Sequence, residues 1–198
     1  MLNKPAALAL LLAAWFIASA VPAQQAPHPT TGGRTSPAKV GAVMALLATF
    51  EDAGILPPEN SPNANRLIKA LIQFQSAFMT SGNPAIQHWL RAAFAAKFGE
   101  EAPSALEGFR AGGWTSQSLE AVVDYAAAVP VWNAPDVAEG FRAFNVGRGD
   151  FDLLARIFTD ARAAFSTRGQ NVHEAYAARR KTMPGARKAP RDEQPGSL

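Results

Sequence analysis

The 198-residue sequence contains no cysteine, which excludes a disulfide framework, thiolate metal ligation and a cysteine nucleophile. Histidine is nearly as scarce, with His28, His88 and His173 the three in the chain. None has a second histidine three or four residues away. Zinc needs three or four ligands, so neither a metal nor another cofactor is expected. β-Branched residues are sparse, and no stretch alternates apolar and polar residues for long enough to make a strand. A phosphate-cradling glycine loop, a serine-nucleophile elbow and a paired-histidine motif are all missing, so no residue is assigned a catalytic role. Beyond the first two dozen residues, no segment is long and apolar enough to cross a bilayer.

The N-terminus carries the clearest signal. Lys4 supplies a positive start, and Ala6 to Val21 is apolar or small throughout apart from Ser19. Val21-Pro22-Ala23 then presents small residues where a signal peptidase reads them, with an alternative cut after Ala20. Residues 1–23 are read as a cleavable signal peptide, the competing reading being an uncleaved anchor. Cleavage would place the mature chain in the periplasm or the medium. Residues 24–36 follow as a flexible linker, 37–184 as a helical domain and 185–198 as a disordered basic tail.

Charge is unevenly distributed. Gln24 to Ala178 holds 12 Lys and Arg against 14 Asp and Glu, a net of −2, whereas Arg179 to Leu198 holds 6 basic and 2 acidic residues, a net of +4. The basic pI belongs to the tail, and a body of this balance is a poor partner for nucleic acid. Arg187, Lys188 and Arg191 lie past the last expected helix, where they are placed to make weak contact with an anionic membrane.

Hydrophobic residues make up 48% of the chain and charged ones 18%, a globular balance, and alanine abundance favours helices. Start and stop signals recur. Ser36-Pro37 opens a helix striped by Val40, Val43, Met44, Leu47 and Phe50 and closed by Gly54. Ser61-Pro62 opens a second, with Leu67, Leu71, Phe74 and Phe78 on one face and Ile68, Ile72 and Met79 beside them. That wide arc marks it as the central helix. Asn83-Pro84 opens a third, with Ile86, Trp89, Leu90, Ala93 and Phe94 inward. Further helices are predicted from Pro103, from Thr115 or Ser116, from an Asn133 cap, from an Asp150 cap and from a capping box of Asn171 with Glu174. The fold class is all-α, a compact bundle of about seven or eight helices.

That bundle is read as containing a duplicated helical hairpin. Ala102 to Ala111 and Ala134 to Ala143 agree at seven of ten positions, 32 residues apart. Their repeated mid-helix glycines, Gly108 and Gly140, suggest that another backbone passes close at each, with Phe109 and Phe141 as core anchors. Glu107 with Arg110, and Glu139 with Arg142, are spaced to pair on the surface. The length is that of a helical solenoid repeat, but the Trp, Leu-Gly and Tyr positions of the tetratricopeptide pattern are absent.

Three kinds of function remain open. The first is an interaction module without catalytic activity, with an unknown protein partner. The second is a carrier of an apolar small molecule in a cavity lined by Phe74, Phe78, Trp89 and Phe94, with the Gln75 amide orienting the ligand; a core amide bonded to backbone is the competing role for Gln75. The third is an enzyme whose site is assembled from distant residues, such as His88 with a carboxylate of another helix. Asp152, Arg156 and Asp160 read as a solvated ion ladder, Arg148-Gly149-Asp150 as a helix start rather than an adhesion signal, and Trp114 and Trp132 as plugs at helix junctions.

Overall fold

The computed structural model describes residues 36–58 and 61–185. The signal peptide, nearly all of the linker and residues 186–198 of the tail lie outside them. The described residues form an all-α bundle without strands: α1 Pro37–Ala53, α2 Pro62–Thr80, α3 Pro84–Phe98, α4 Ala102–Gly112, α5 Ser116–Ala128, α6 Pro135–Arg142, α7 Arg148–Thr167 and α8 Val172–Thr182. Seven of these run 11 to 20 residues, and α6 has eight. Two short 3-10 turns, Gly99–Glu101 and Val131–Asn133, precede α4 and α6. None of the described helices is long and apolar enough to cross a membrane.

Proline and a short polar cap set the first three helix starts. Ser36 Oγ accepts from Lys39 N–H, Ser61 Oγ from Ala64 N–H, and Asn83 Oδ1 from Ala85 N–H, each followed by proline at the first helical position, where a missing N–H costs nothing. Gly54 ends α1 at φ 75°, a left-handed conformation that glycine adopts freely.

Two expected caps sit elsewhere. Asn133 belongs to the 3-10 turn, and the cap of α6 is Ala134 in an extended conformation; the residue before a proline is pushed out of the helical region, which moves the boundary one position on. Gly147, not Asp150, caps α7. Asp150 occupies the third helical position and accepts the Gly147 N–H at 2.8 Å. Thr115 and Ser118 do the same reciprocally at the start of α5. Helices α3, α5 and α7 start at Pro84, Ser116 and Arg148, two successive steps of 32 residues, and the 3-10 turns at Gly99 and Val131 are 32 apart as well.

Burial follows the expected stripes on α3 and α7, where Ile86, Trp89, Leu90, Ala93, Phe94 and Phe151, Leu154, Phe158, Ala161, Phe165 are all buried. The central position is not held by α2 alone. Its Leu67, Leu71, Phe74 and Phe78 face the core, but Ile68, Ile72 and Met79 are half-exposed. Helix α2 packs against α1, α3, α6 and α7, α1 against α2, α4, α7 and α8, and α3 against α2, α4, α5 and α6, so the three share the central position. The alanines at 42, 45 and 53 of α1, all buried, let its neighbours approach closely, a role that a stripe of large residues does not reveal.

The two repeated phenylalanines converge on one residue. Phe109 and Phe141 are both buried, and their ring centroids lie 6.3 and 5.4 Å from that of Phe78. The repeated glycines differ. A methyl on Gly140 would meet Asn83 Nδ2 at 2.6 Å and Ile86 Cδ1 at 2.7 Å, side chains rather than backbone, whereas one on Gly108 would meet nothing within 4 Å among the described residues. Among those residues neither Glu/Arg pair forms an ion pair. Arg110 instead donates to Gln87 Oε1 at 2.9 Å, because Gln87 of α3 faces it across the helix contact. Asp152 pairs at 3.9 Å with Arg148 rather than with Arg156.

Candidate functional site

Glu120 is the most connected polar side chain of the body. It stands one turn into α5 between buried apolar neighbours, Leu119 and Ala121 to Val123, and is itself 7% exposed. Three other helices send a basic side chain to it. Lys97, at the end of α3, ion-pairs with Oε2; Arg162 of α7 reaches Oε1 at 2.8 Å; and His173 Nε2, in the first turn of α8, lies 3.3 Å from Oε2. Arg162 also pairs with Asp124 at 3.1 Å. Burial opposes ionisation of Glu120, but hydrogen bonds from Lys97 and Arg162 and the charges of Lys97 and His173 outweigh it and hold the carboxyl below the ordinary carboxylate range.

The other ring nitrogen of His173, Nδ1, lies 2.9 Å from Ser116 Oγ. Ser116 and Glu120 are one turn apart on α5, so one imidazole bridges both. Hydroxyl, imidazole and carboxylate thus stand in the order used by hydrolytic triads. Two features set this arrangement apart from a working nucleophile. Ser116 is 2% exposed, and the carboxylate that would steady an imidazolium is already matched by Lys97 and Arg162. The cluster ties α3, α5, α7 and α8 together at one carboxylate.

The five residues expected to line a ligand cavity are all buried. Phe78 and Trp89 stack with centroids 6.1 Å apart, Phe74 packs on Phe78 at 5.9 Å, and all three meet Phe141. Phe94 sits to one side, against Phe98 and Phe109. Gln75 Oε1 accepts the backbone N–H of Trp114 at 3.2 Å, the core-amide role. The Trp89 indole N–H is buried and has no hydrogen-bond partner among the described residues. His88 is exposed on the outer face of α3. Among the described residues no group of three His, Asp or Glu side chains is arranged to hold a metal ion.

Open space lies elsewhere. A groove of about 520 Å³ runs between the start of α1, the end of α4 and α8, lined by Gly108, Ala111, Gly112, Trp114, Tyr176, Arg180 and Lys181 among others. Tyr176 donates its hydroxyl to Trp114 O at 2.6 Å, and burial pushes its phenol up to about 12, with Arg180 opposing. A smaller cleft of about 360 Å³ between α5 and α7 is floored by Val123, Val131 and Phe151 and edged by Trp132.

Residue-by-residue reading of the sequence did not find the Glu120 cluster. The available signal was a charged residue inside the apolar run Leu119 to Val123, with Ser116 one turn before it; the partners lie 23, 42 and 53 positions from Glu120. Comparison with protein-family models, with curated proteins and with solved structures gives no match.

Proposed function

We propose that this chain is an exported, non-catalytic interaction module that binds a protein partner through its α1/α4/α8 groove. The observation that supports this most is where its polar groups are spent. The buried glutamate and its histidine are tied up in the Glu120 cluster around a buried serine, whereas the α1/α4/α8 groove is walled by small residues and cations and, among the described residues, is lined by no carboxylate or histidine. Such a surface suits recognition better than bond breaking. Native mass spectrometry of protein purified from its source tests the reading: a co-purifying protein is expected, and a partner-free chain that turns over an ester substrate through Ser116 would overturn it. N-terminal sequencing of the exported protein should begin at Gln24 or Val21, and an intact Met1 in the membrane fraction would defeat export.

The carrier reading draws on the orphaned Trp89 N–H within the Phe74, Phe78 and Phe141 cluster, since a buried donor without a partner costs about 1–3 kcal/mol and a bound polar atom would relieve it. A retained small molecule in the same spectra would favour it.

We also read residues 99–128 and 131–167 as two copies of one unit, each a 3-10 turn, a short helix and a longer one. The shared step of 32 residues, the third helical residue accepting the cap N–H in both (Ser118 from Thr115, Asp150 from Gly147) and the paired phenylalanines on Phe78 support it. The basic tail adds a weak contact with anionic lipid, which co-sedimentation with anionic vesicles at low salt would reveal and truncation after Pro184 would remove.

A further inference from the structure

The glycines within and beside the helices differ in what surrounds them. At Gly41, Gly140, Gly149 and Gly185 a methyl would run into Pro184 O, Asn83 and Ile86, Arg66, or the backbone of Ala38. Packing within the chain explains why those side chains are missing. At Gly108 and Gly112 a methyl would meet nothing within 4 Å among the described residues, and neither has a positive φ. Glycine inside a helix costs about 1 kcal/mol against alanine. Gly108 therefore carries a cost that neither the packing nor the backbone geometry of this chain repays.

Both glycines stand one turn apart on the same side of α4, and both line the 520 Å³ groove. Their effect is to leave bare backbone along one wall, which a second chain can approach closely. The facing wall, on α8, is cationic. Arg180 is held in place by the carbonyls of Ala38 and Pro184, at 3.0 and 3.1 Å, and Lys181 beside it is exposed. Among the described residues no Asp or Glu lines the groove. Helices α1 and α5 begin at it, through Ala38 and Thr115, while α4 and α8 end at it, through Gly112 and Lys181, so the helix dipoles offset one another and the positive charge of the wall rests on the two side chains.

We propose that this groove docks an acidic peptide segment of a partner protein, its backbone against Gly108 and Gly112 and its carboxylates toward Lys181 and Arg180. The inference rests on the interaction-module reading and names its partner's chemistry. Charge selects among occupants. The chain's own sequence after Gly185 is mixed in charge, with Arg187, Lys188 and Arg191 beside Asp192 and Glu193, which makes it a poorer match to the cationic wall than an acidic segment.

A random-peptide display library panned on the mature chain tests this, with Gly108→Leu and Lys181→Glu chains run in parallel after their melting temperatures are matched to the parent. Leucine fills the groove without touching the core, and glutamate reverses the wall. The expected result is enrichment of acidic peptides whose affinity falls by at least about tenfold in each variant, roughly 1.4 kcal/mol or more, and falls with added salt. Enrichment of basic or apolar peptides overturns the proposal. So do acidic peptides that bind both variants as well as the parent, and so does a lack of enrichment. Peptides that bind away from the groove, or a native complex insensitive to both substitutions, would sink the groove while leaving the interaction module standing.

Discussion

Trp114 donates its backbone N–H to the side-chain Oε1 of Gln75 at 3.2 Å, and its indole Nε1–H to Leu71 O, one turn earlier on α2, at 2.9 Å. The turn between α4 and α5 is thereby fastened to a helix some 40 positions earlier in the chain. Trp114 is fully buried, so water offers no substitute partner. Replacing Gln75 by leucine, which keeps the volume but not the acceptor, should cost about 1–3 kcal/mol. Denaturant unfolding measures the loss. An unchanged midpoint would mean that the turn finds another acceptor.

The two repeat glycines should respond in opposite directions. Gly140→Leu forces a side chain into Asn83 and Ile86 and should destabilise by about 1–3 kcal/mol through overpacking. Gly108→Leu enters open space and should leave the melting temperature unchanged or raise it, since leucine is favoured over glycine in a helix by up to about 1 kcal/mol. Equal losses from both would refute the different surroundings assigned to them.

Glu120 contributes to the acid arm of stability. Its folded-state pKa is depressed below the ordinary value of 4.5. The stability it contributes is therefore fully present above that value and is lost as pH falls through the lower, folded one. Glu120→Gln should cost about 2 kcal/mol at neutral pH, a figure at the lower end for charged hydrogen bonds because Lys97, Arg162 and His173 also reach water. The gap between parent and variant should narrow below pH 4.5, where the parent carboxyl also takes up a proton. Melting curves across pH check this, and a gap constant down to strong acid would contradict the depressed pKa.

Gly41 lies against Pro184 O and the Arg180 guanidinium. Gly41→Val should lift the end of α8 from α1, with faster amide exchange in both helices and little change in α5 and α6. Hydrogen exchange that stays uniform would place the contact among the dispensable ones.

The helices were legible in the sequence because their signals are local. A serine or asparagine followed by proline marks α1, α2 and α3, and three-four spacing marks the buried faces of α3 and α7. Caps failed where the deciding term was also local but subtler, as when Pro135 moved the α6 boundary from Asn133 to Ala134. The Glu120 cluster was not legible, since the carboxylate and its basic partners come from four helices whose relative placement depends on packing. Gln75 lay between these cases: its burial could be read from the stripe of α2, while its partner, across 39 positions, could not.

The joining of α1 to α8 has a consequence for how the molecule is made. Arg179 pairs with Asp52 across 127 positions, Arg180 holds Ala38 O across 142, and Arg168 covers the last carbonyls of α1 at Asp52 and Ala53. A chain synthesised from its N-terminus produces α1 well before α8, so α1 waits with one side open until α8 arrives. Native closure of the body is thereby a late event in the life of the nascent chain, and a ribosome that stalls before residue 179 leaves a product whose first helix still lacks its seat.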